Sequence, residues 1–125
     1  SRHGTGFEAT RTGAGHSTTQ AGRELTSDLL ATHPDLDCIY YSNDDLAAGG
    51  AFHCIANGLD VPGALLLAGF NGLDFVESLP VRIATSRTPR REIGRAAARI
   101  IVDPDRGEDP VAQRIAFSPR IDLGL

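Results

Sequence analysis

The chain has 125 residues, of which 41% are hydrophobic and 22% charged, and a formal net charge of −4 at pH 7. This composition predicts one modest globular domain and excludes a disordered chain. The acidic balance argues against direct nucleic-acid binding, which needs a basic face, and no apolar run approaches the ~18 residues of a membrane span.

The first predicted elements are helices. A short helix is predicted over residues 6–13 and a longer one over residues 17–31, with Ser17 or Thr18 as its cap because their hydroxyls accept from N–H groups of the first turn. Spacing of apolar residues at one helical face gives the longer helix its expected core stripe. The stripe consists of Ala21, Leu25 and Leu29.

A short apolar and aromatic run at 38–41 predicts a strand buried on both faces. A polar turn leads from it into a helix over residues 45–56, which Asp44 or Ser42 is expected to cap. Asn43 then lies at the carboxyl end of the strand, where open parallel sheets bind ligands, and its amide offers one acceptor and two donors. The alternative is a well-capped turn without a ligand.

The helix over 45–56 has an unusually small-sided middle at residues 47–51. Its two glycines cost about 1 kcal/mol each relative to alanine, which indicates close approach by a neighbouring element or subunit. Cys38 and Cys54 are too far apart for a metal knuckle or redox pair and are predicted to be buried free thiols. The candidate core residues of this helix are Leu46, Phe52 and Ile55.

Two further strands are predicted at 64–68 and 83–86, and Asn71 follows the first of them in a polar turn. Thr88 is expected to cap a third helix, with Pro89 at its first position, where a missing N–H costs nothing. Additional strands are predicted at 114–118 and 121–123. The alternation of helices and strands indicates the α/β class.

Several motifs in this order and spacing resemble the effector-binding core of bacterial transcription regulators of the lactose-repressor (LacI/GalR) family, with features of its gluconate-type branch. The resemblance covers nearly the whole chain and implies an α/β parallel-sheet sandwich, a partial periplasmic-binding-protein-like type I fold formed mostly by the C-terminal lobe. The motifs are Gly6-Phe7, Asn43-Asp44-x-Leu46-Ala47-x-Gly49, Gly58-Leu59-x-Val61-Pro62, Gly69-Phe70-Asn71, Ala84-Thr85, Pro89, Ile93-Gly94 and Ile121-Asp122-Leu123-Gly124.

The resemblance implies that residues 1–125 are the C-terminal part of the effector-binding and dimerisation domain. Residues 1–87 would form the C-terminal lobe, 88–112 a helix belonging to the absent N-terminal lobe, and 113–125 a return strand. The chain would therefore carry unpaired apolar surface and self-associate as a homodimer. Operator DNA would be contacted only through the missing N-terminal helix-turn-helix.

The resemblance also implies site residues. Asn71 is neutral where the family has an acidic residue, and Arg2 substitutes for a family arginine whose position falls on His3. Arg87, beside the crossover position Thr88, could pair with an anionic ligand. The implied ligand-binding residues are Asn43, Asn71, Thr88, Arg87 and Arg2. The implied dimer-interface residues are Ala47, Ala48, Ala51, Phe52, Phe75 and Leu79.

The function expected from this resemblance is a cytoplasmic ligand-sensing module that binds a small sugar or sugar acid and controls DNA binding. The alternative is a sugar-binding component of a periplasmic transport system, which shares the fold. A small α/β enzyme is less favoured, because the sequence has no nucleophile–base constellation and no phosphate loop. No cofactor, metal site or membrane partner is expected.

Overall fold

Helices and short strands alternate along the chain in the computed structural model, which describes residues 6–102 and 114–124. Most predicted elements are present to within a few residues, and residues 6–13 are not a helix. In chain order the elements are α1 (Thr19–Thr32), β1 (Cys38–Tyr40), α2 (Asp44–Ala56), β2 (Leu66–Ala68), a 3-10 helix (Asp74–Ser78), β3 (Thr85–Arg87), α3 (Arg90–Val102) and β4 (Arg120–Asp122).

The strands form a parallel arrangement with one antiparallel strand at its end. β1 pairs in parallel with β2, and β3 adjoins β2 through single parallel bridges from Ala68 to Ala84 and from Asn71 to Arg87. β4 pairs with β3 in the antiparallel direction. Because parallel neighbours point the same way, the carboxyl ends of β1, β2 and β3 lie at one edge. The predicted α/β class is confirmed.

Helices α1 and α2 approach each other closely because each has a glycine at the contact. A Cβ on Gly22 would meet the backbone of Leu46, and a Cβ on Gly49 would meet the backbone of Thr19. No L-residue with a side chain fits such backbone-to-backbone contact without a shift of the helices. The small residues in the middle of α2 therefore allow α1 of the same chain to pack closely against it.

The buried face of α1 is rotated relative to the predicted stripe. Its buried residues are Gly22, Thr26 and Leu29, whereas Ala21 and Leu25 are only partly buried. Thr26 occupies a core position because its hydroxyl is satisfied there, 2.6 Å from the carbonyl of Gly22 and 2.7 Å from the hydroxyl of Tyr41. A pattern of hydrophobic residues alone does not predict that a threonine lies in the core.

The core corrects three of the predicted interface residues. Ala47, Ala48 and Ala51 are 0%, 2% and 0% exposed, so they contact the chain's own interior and offer no surface to a partner subunit. Phe52 and Phe75 are exposed, and Leu79 is partly buried against the core. The core cluster consists of Leu29, Ile39, Tyr41, Ala47, Ala51, Cys54, Val61, Leu65, Leu67, Val76 and Ile83.

Strand β1 is buried on one face only, contrary to the prediction. Ile39 is buried in the core, while Tyr40 is 66% exposed on the opposite face. Cys38 shares that face and its thiol is exposed, whereas Cys54 is buried as predicted. Ile39 belongs to the same core cluster as Leu29 of α1 and Ala47 of α2, which explains why alternate residues of the strand are exposed.

The last elements pack least. No residue of α3 is buried, and its stripe of Ile93, Ile100 and Ile101 is 37%, 36% and 82% exposed, so the expected unpaired apolar surface is confirmed. β4 corresponds to the strand predicted at 121–123, whereas 114–118 is not a strand, because no described strand pairs with it. Within the two described ranges, no helix is long and apolar enough to cross a membrane.

Candidate functional site

The first predicted site residue, Asn43, follows β1 and is itself the N-cap of α2. Its side-chain oxygen accepts from the backbone N–H of Leu46 at 3.0 Å, so the predicted caps Asp44 and Ser42 are wrong. Asparagine caps as well as aspartate does. The capping bond uses the amide oxygen and leaves the NH₂ group, with two donors, for other partners.

Asn71 lies at the carboxyl end of the neighbouring strand, three residues beyond the end of β2. Its backbone N–H donates to the carbonyl of Ser86 at 3.1 Å, and its carbonyl accepts from the N–H of Thr88 at 3.2 Å. One residue earlier, the carbonyl of Phe70 accepts from the N–H of Asp44 at 3.0 Å. Asn43 and Asn71 therefore flank a direct bond between two loops of the same edge, and both are partly exposed.

Asp44 is the residue of this edge whose role the sequence did not reveal. Its side chain is fully buried, with one carboxylate oxygen accepting from the hydroxyl of Thr85 at 2.7 Å and the other from the backbone N–H of Leu73 at 2.7 Å. A carboxylate in the first turn of α2 also suits the positive end of the helix dipole. Asp44 thus joins α2, the turn after β2 and strand β3 into one unit.

The sequence offered only a weak signal for that role. Asn43 and Asp44 are adjacent and both residue types cap helices well, so one of them had to have another partner. Thr85, the partner, appeared only as a strand residue. Its hydroxyl also accepts from the backbone N–H of Gly72 at 3.2 Å, which connects the buried pair to the turn containing Asn71.

Arg87 is held in ion pairs within the chain. Its guanidinium donates to Asp122 of β4 at 3.0 and 3.2 Å and lies 2.9 Å from the carboxylate of Glu77 in the 3-10 helix. The hydrogen bond to Asp122 raises the pKa of Arg87. The backbone N–H of Gly124, and after it the Arg87 guanidinium, lower the pKa of Asp122. An anionic ligand would have to share Arg87 with these carboxylates.

Thr88 is partly buried beside Asn71, to which its backbone N–H donates. Helix α3 begins at Arg90, and the carbonyl of Pro89 accepts from the N–H of Ile93 at 3.0 Å. Pro89 is therefore the residue just before the helix and not its first residue. Thr88, the predicted cap, lies two residues before the helix. Arg2 and its alternative His3 lie outside the described residues.

Two clefts of the described structure have linings that contain neither asparagine of this edge. A cleft of about 330 Å³ between α1 and α2 and one of about 490 Å³ along β4 include neither Asn43 nor Asn71. Within the described ranges, no group of three or more histidine, cysteine, aspartate or glutamate side chains could hold a metal ion. What the edge offers is amide, hydroxyl and guanidinium donors, which suit the hydroxyl or carboxylate groups of a small polar ligand.

Comparison with known proteins gives a consistent assignment. The family model described as periplasmic binding protein-like domain matches residues 1–124. The HTH-type transcriptional regulator GntR of Escherichia coli (strain K12) is 39% identical over 88 residues, which cover 70% of this chain and 27% of that regulator.

Solved structures of similar proteins support the same family assignment. A LacI-family transcriptional regulator from Silicibacter pomeroyi is 46% identical with a TM-score of 0.77, covering 89% of this chain and 34% of that one. A LacI-family regulator from Arthrobacter sp. FB24 in complex with lactose is 32% identical with a TM-score of 0.76, covering 85% and 40%. The chain thus spans well under half the length of each of these relatives.

Proposed function

The chain belongs to the periplasmic-binding-protein-like domain family, in the form found in LacI-family regulators, and from that premise we propose that it senses a small sugar or sugar acid for a bacterial transcription regulator. The observation that carries the proposal is the convergence of Asn43 and Asn71 at the carboxyl ends of adjacent parallel strands. Ligands of open α/β sheets bind at this edge.

In the proposed site, each residue has a separate task. Asn43 donates through its NH₂ group, since its oxygen is used in the cap, and Asn71 supplies a second amide from the next loop. Thr88 adds a hydroxyl at the start of the crossover segment, and Arg2 an additional guanidinium. These groups match the alternating donors and acceptors of a polyol chain.

The charge of the edge favours a sugar acid as much as a neutral sugar. Asn71 places an amide where the family resemblance implies a carboxylate, so a negative charge that would repel an anion is missing. Arg87 lies at the same edge, although Asp122 and Glu77 already share its charge. The similar Arthrobacter regulator was solved with lactose, a neutral disaccharide.

The remaining parts of the proposal concern the whole regulator. Residues 1–87 act as one lobe, 88–112 pack with a second lobe, and 113–125 return to the first, which fits the exposure of α3. Phe52, Phe75 and Leu79 contribute to a homodimer interface. Ligand closes the lobes of a cytoplasmic dimer and shifts the equilibrium of a DNA-binding helix-turn-helix elsewhere in the protein.

The experiment is isothermal titration calorimetry of the complete gene product with D-gluconate, sorbitol, lactose and D-ribose. Gluconate and sorbitol share a carbon skeleton and differ in one carboxylate, so their ratio of Kd values measures the preference for an anion. Binding of at least one sugar is expected. No heat with any of the four compounds would contradict the proposed ligand class.

The site assignment is tested with Asn43→Ser. Serine caps a helix about as well as asparagine but lacks the amide donors, so the Kd should rise about ten-fold, equivalent to about 1.4 kcal/mol, with little change in Tm. Asn57→Ala, at the opposite end of α2, is the control and should bind normally. An unchanged Kd for Asn43→Ser would show that Asn43 does not contact the ligand.

A further inference from the structure

The backbone of Asn71 has an uncommon conformation, with φ of +106°. A non-glycine residue in this region is strained, and it persists only where its surroundings determine it. Three hydrogen bonds do so here. The N–H of Asn71 donates to Ser86, and its carbonyl accepts from the N–H of Thr88 and from the Nη1 group of Arg90 at 3.0 Å.

The next residue, Gly72, is enclosed by two arginines. A Cβ on Gly72 would meet the backbone and Cβ of Arg87, so the chain of β3 closes one side of the turn. On the other side, the Nη2 group of Arg90 donates to the carbonyl of Gly72 at 3.4 Å. The planar fork of one guanidinium thus spans two successive carbonyls, a geometry that a lysine ammonium does not reproduce.

Arg90 is also the first residue of α3, a helix with no buried residue. Its guanidinium is therefore a side-chain link between that helix and the turn that holds Asn71. The carboxylate of Asp74, 3.9 Å away and fully exposed, adds little, since exposed ion pairs contribute weakly. The link is mainly the pair of bonds to the two carbonyls.

We propose that Arg90 is a positioning residue for Asn71. Through its bonds to the turn, Arg90 makes the position of Asn71 at the sugar-binding edge depend on the position of α3. This inference rests on the proposed function of that edge. When the lobe that contains α3 closes on a ligand, the Arg90 guanidinium holds the backbone carbonyl of Asn71. This bond fixes the backbone of Asn71 and therefore the direction of its side-chain amide. Ligand affinity then depends on a residue that need not touch the ligand.

The test compares Arg90→Met, Arg90→Lys and the control Arg91→Met in the complete gene product. Arg91 is an exposed arginine one position along the same helix, so its replacement removes the same charge without the fork. The first readout needs no ligand: hydrogen exchange of the Thr88 amide, which donates to Asn71. The second is the Kd for D-gluconate and for lactose by calorimetry.

Arg90→Met should accelerate Thr88 exchange about three-fold and weaken the sugar that binds about five-fold, the loss of about one hydrogen bond. Arg90→Lys should fall between it and wild type, and Arg91→Met should match wild type. Equal exchange and equal Kd for Arg90→Met and Arg91→Met would overturn the inference. Faster Thr88 exchange in a protein that binds neither compound would support the backbone link and overturn its role in sugar binding.

Discussion

The buried carboxylate of Asp44 should be the most sensitive polar group of the described structure. Replacing it with alanine leaves the hydroxyl of Thr85 and the N–H of Leu73 without their acceptor, although both lie 2.7 Å from the carboxylate in the wild type. Hydrogen bonds to a charged group contribute about 1.5–3 kcal/mol each, and the carboxylate adds about 0.5 kcal/mol at the helix N-terminus.

The expected loss for Asp44→Ala is therefore about 3.5–6.5 kcal/mol, a large part of a typical domain's stability. Asp44→Asn should cost less, about 1–2 kcal/mol, because the amide oxygen can still accept from Leu73 while its NH₂ group faces Thr85. The hydroxyl of Thr85, which accepts from Gly72, then has no acceptor for its own hydrogen, since an amide NH₂ group only donates.

Urea unfolding of the chain, followed by far-UV circular dichroism and by tyrosine fluorescence, to which buried Tyr41 and exposed Tyr40 both contribute, measures these losses. Thr85→Val completes a double-mutant cycle with Asp44→Asn, in which the coupling should reach about 1 kcal/mol. A loss below about 1 kcal/mol for Asp44→Ala, or strictly additive effects in the cycle, would refute the argument that the carboxylate joins the three segments.

Gly49→Ala should destabilise the chain by several kcal/mol because the new Cβ meets the α1 backbone. Gly94→Ala, in the open interior of α3, should instead stabilise it by about 0.5–1 kcal/mol. Thermal melting compares the two variants, and equal effects would contradict the close contact of α1 and α2. The lowered pKa of Asp122 means that its contribution is complete above the unfolded carboxyl pKa and is lost as pH falls through the folded pKa. The Tm advantage of wild type over Asp122→Asn should therefore begin to shrink near the ordinary aspartate pKa of about 3.9 and continue to shrink at lower pH. Sedimentation equilibrium should detect a homodimer that Phe52→Glu and Phe75→Glu each weaken; a stable monomer of 13.2 kDa at tens of micromolar would contradict it.

The sequence predicted the elements whose signals are local. Thr18 caps α1 as one of two named candidates, accepting from Ala21, and α2, predicted over residues 45–56, ends at Ala56. Turn and cap chemistry depends on neighbouring residues, so it can be recognised without the fold.

Signals that depend on tertiary partners were assigned wrongly. The small middle of α2 predicts close approach by a neighbouring element or a subunit, and nothing in the segment itself distinguishes the two. Ala47, Ala48 and Ala51 are buried within the chain. Asp44 was expected to cap a helix, while its real partners are 29 and 41 residues away in sequence. Neither the helix–helix contact nor the bonds of Asp44 produce a periodic pattern in the sequence.

In the proposed regulator, the edge that carries Asn43 and Asn71 forms one side of the ligand site. Asn43, Asn71 and Thr88 follow β1, β2 and β3 at one edge, and neither described cleft contains an asparagine of this edge. A small ligand usually needs most of its surface buried, so one such surface gives little affinity. In the proposed regulator, affinity therefore requires a second surface that closes over the ligand. Binding and closure then share one free energy, because a ligand shifts a conformational equilibrium only by its difference in affinity between the two states. In this proposal, ligand occupancy and lobe closure are coupled, and this coupling suits the site to sensing.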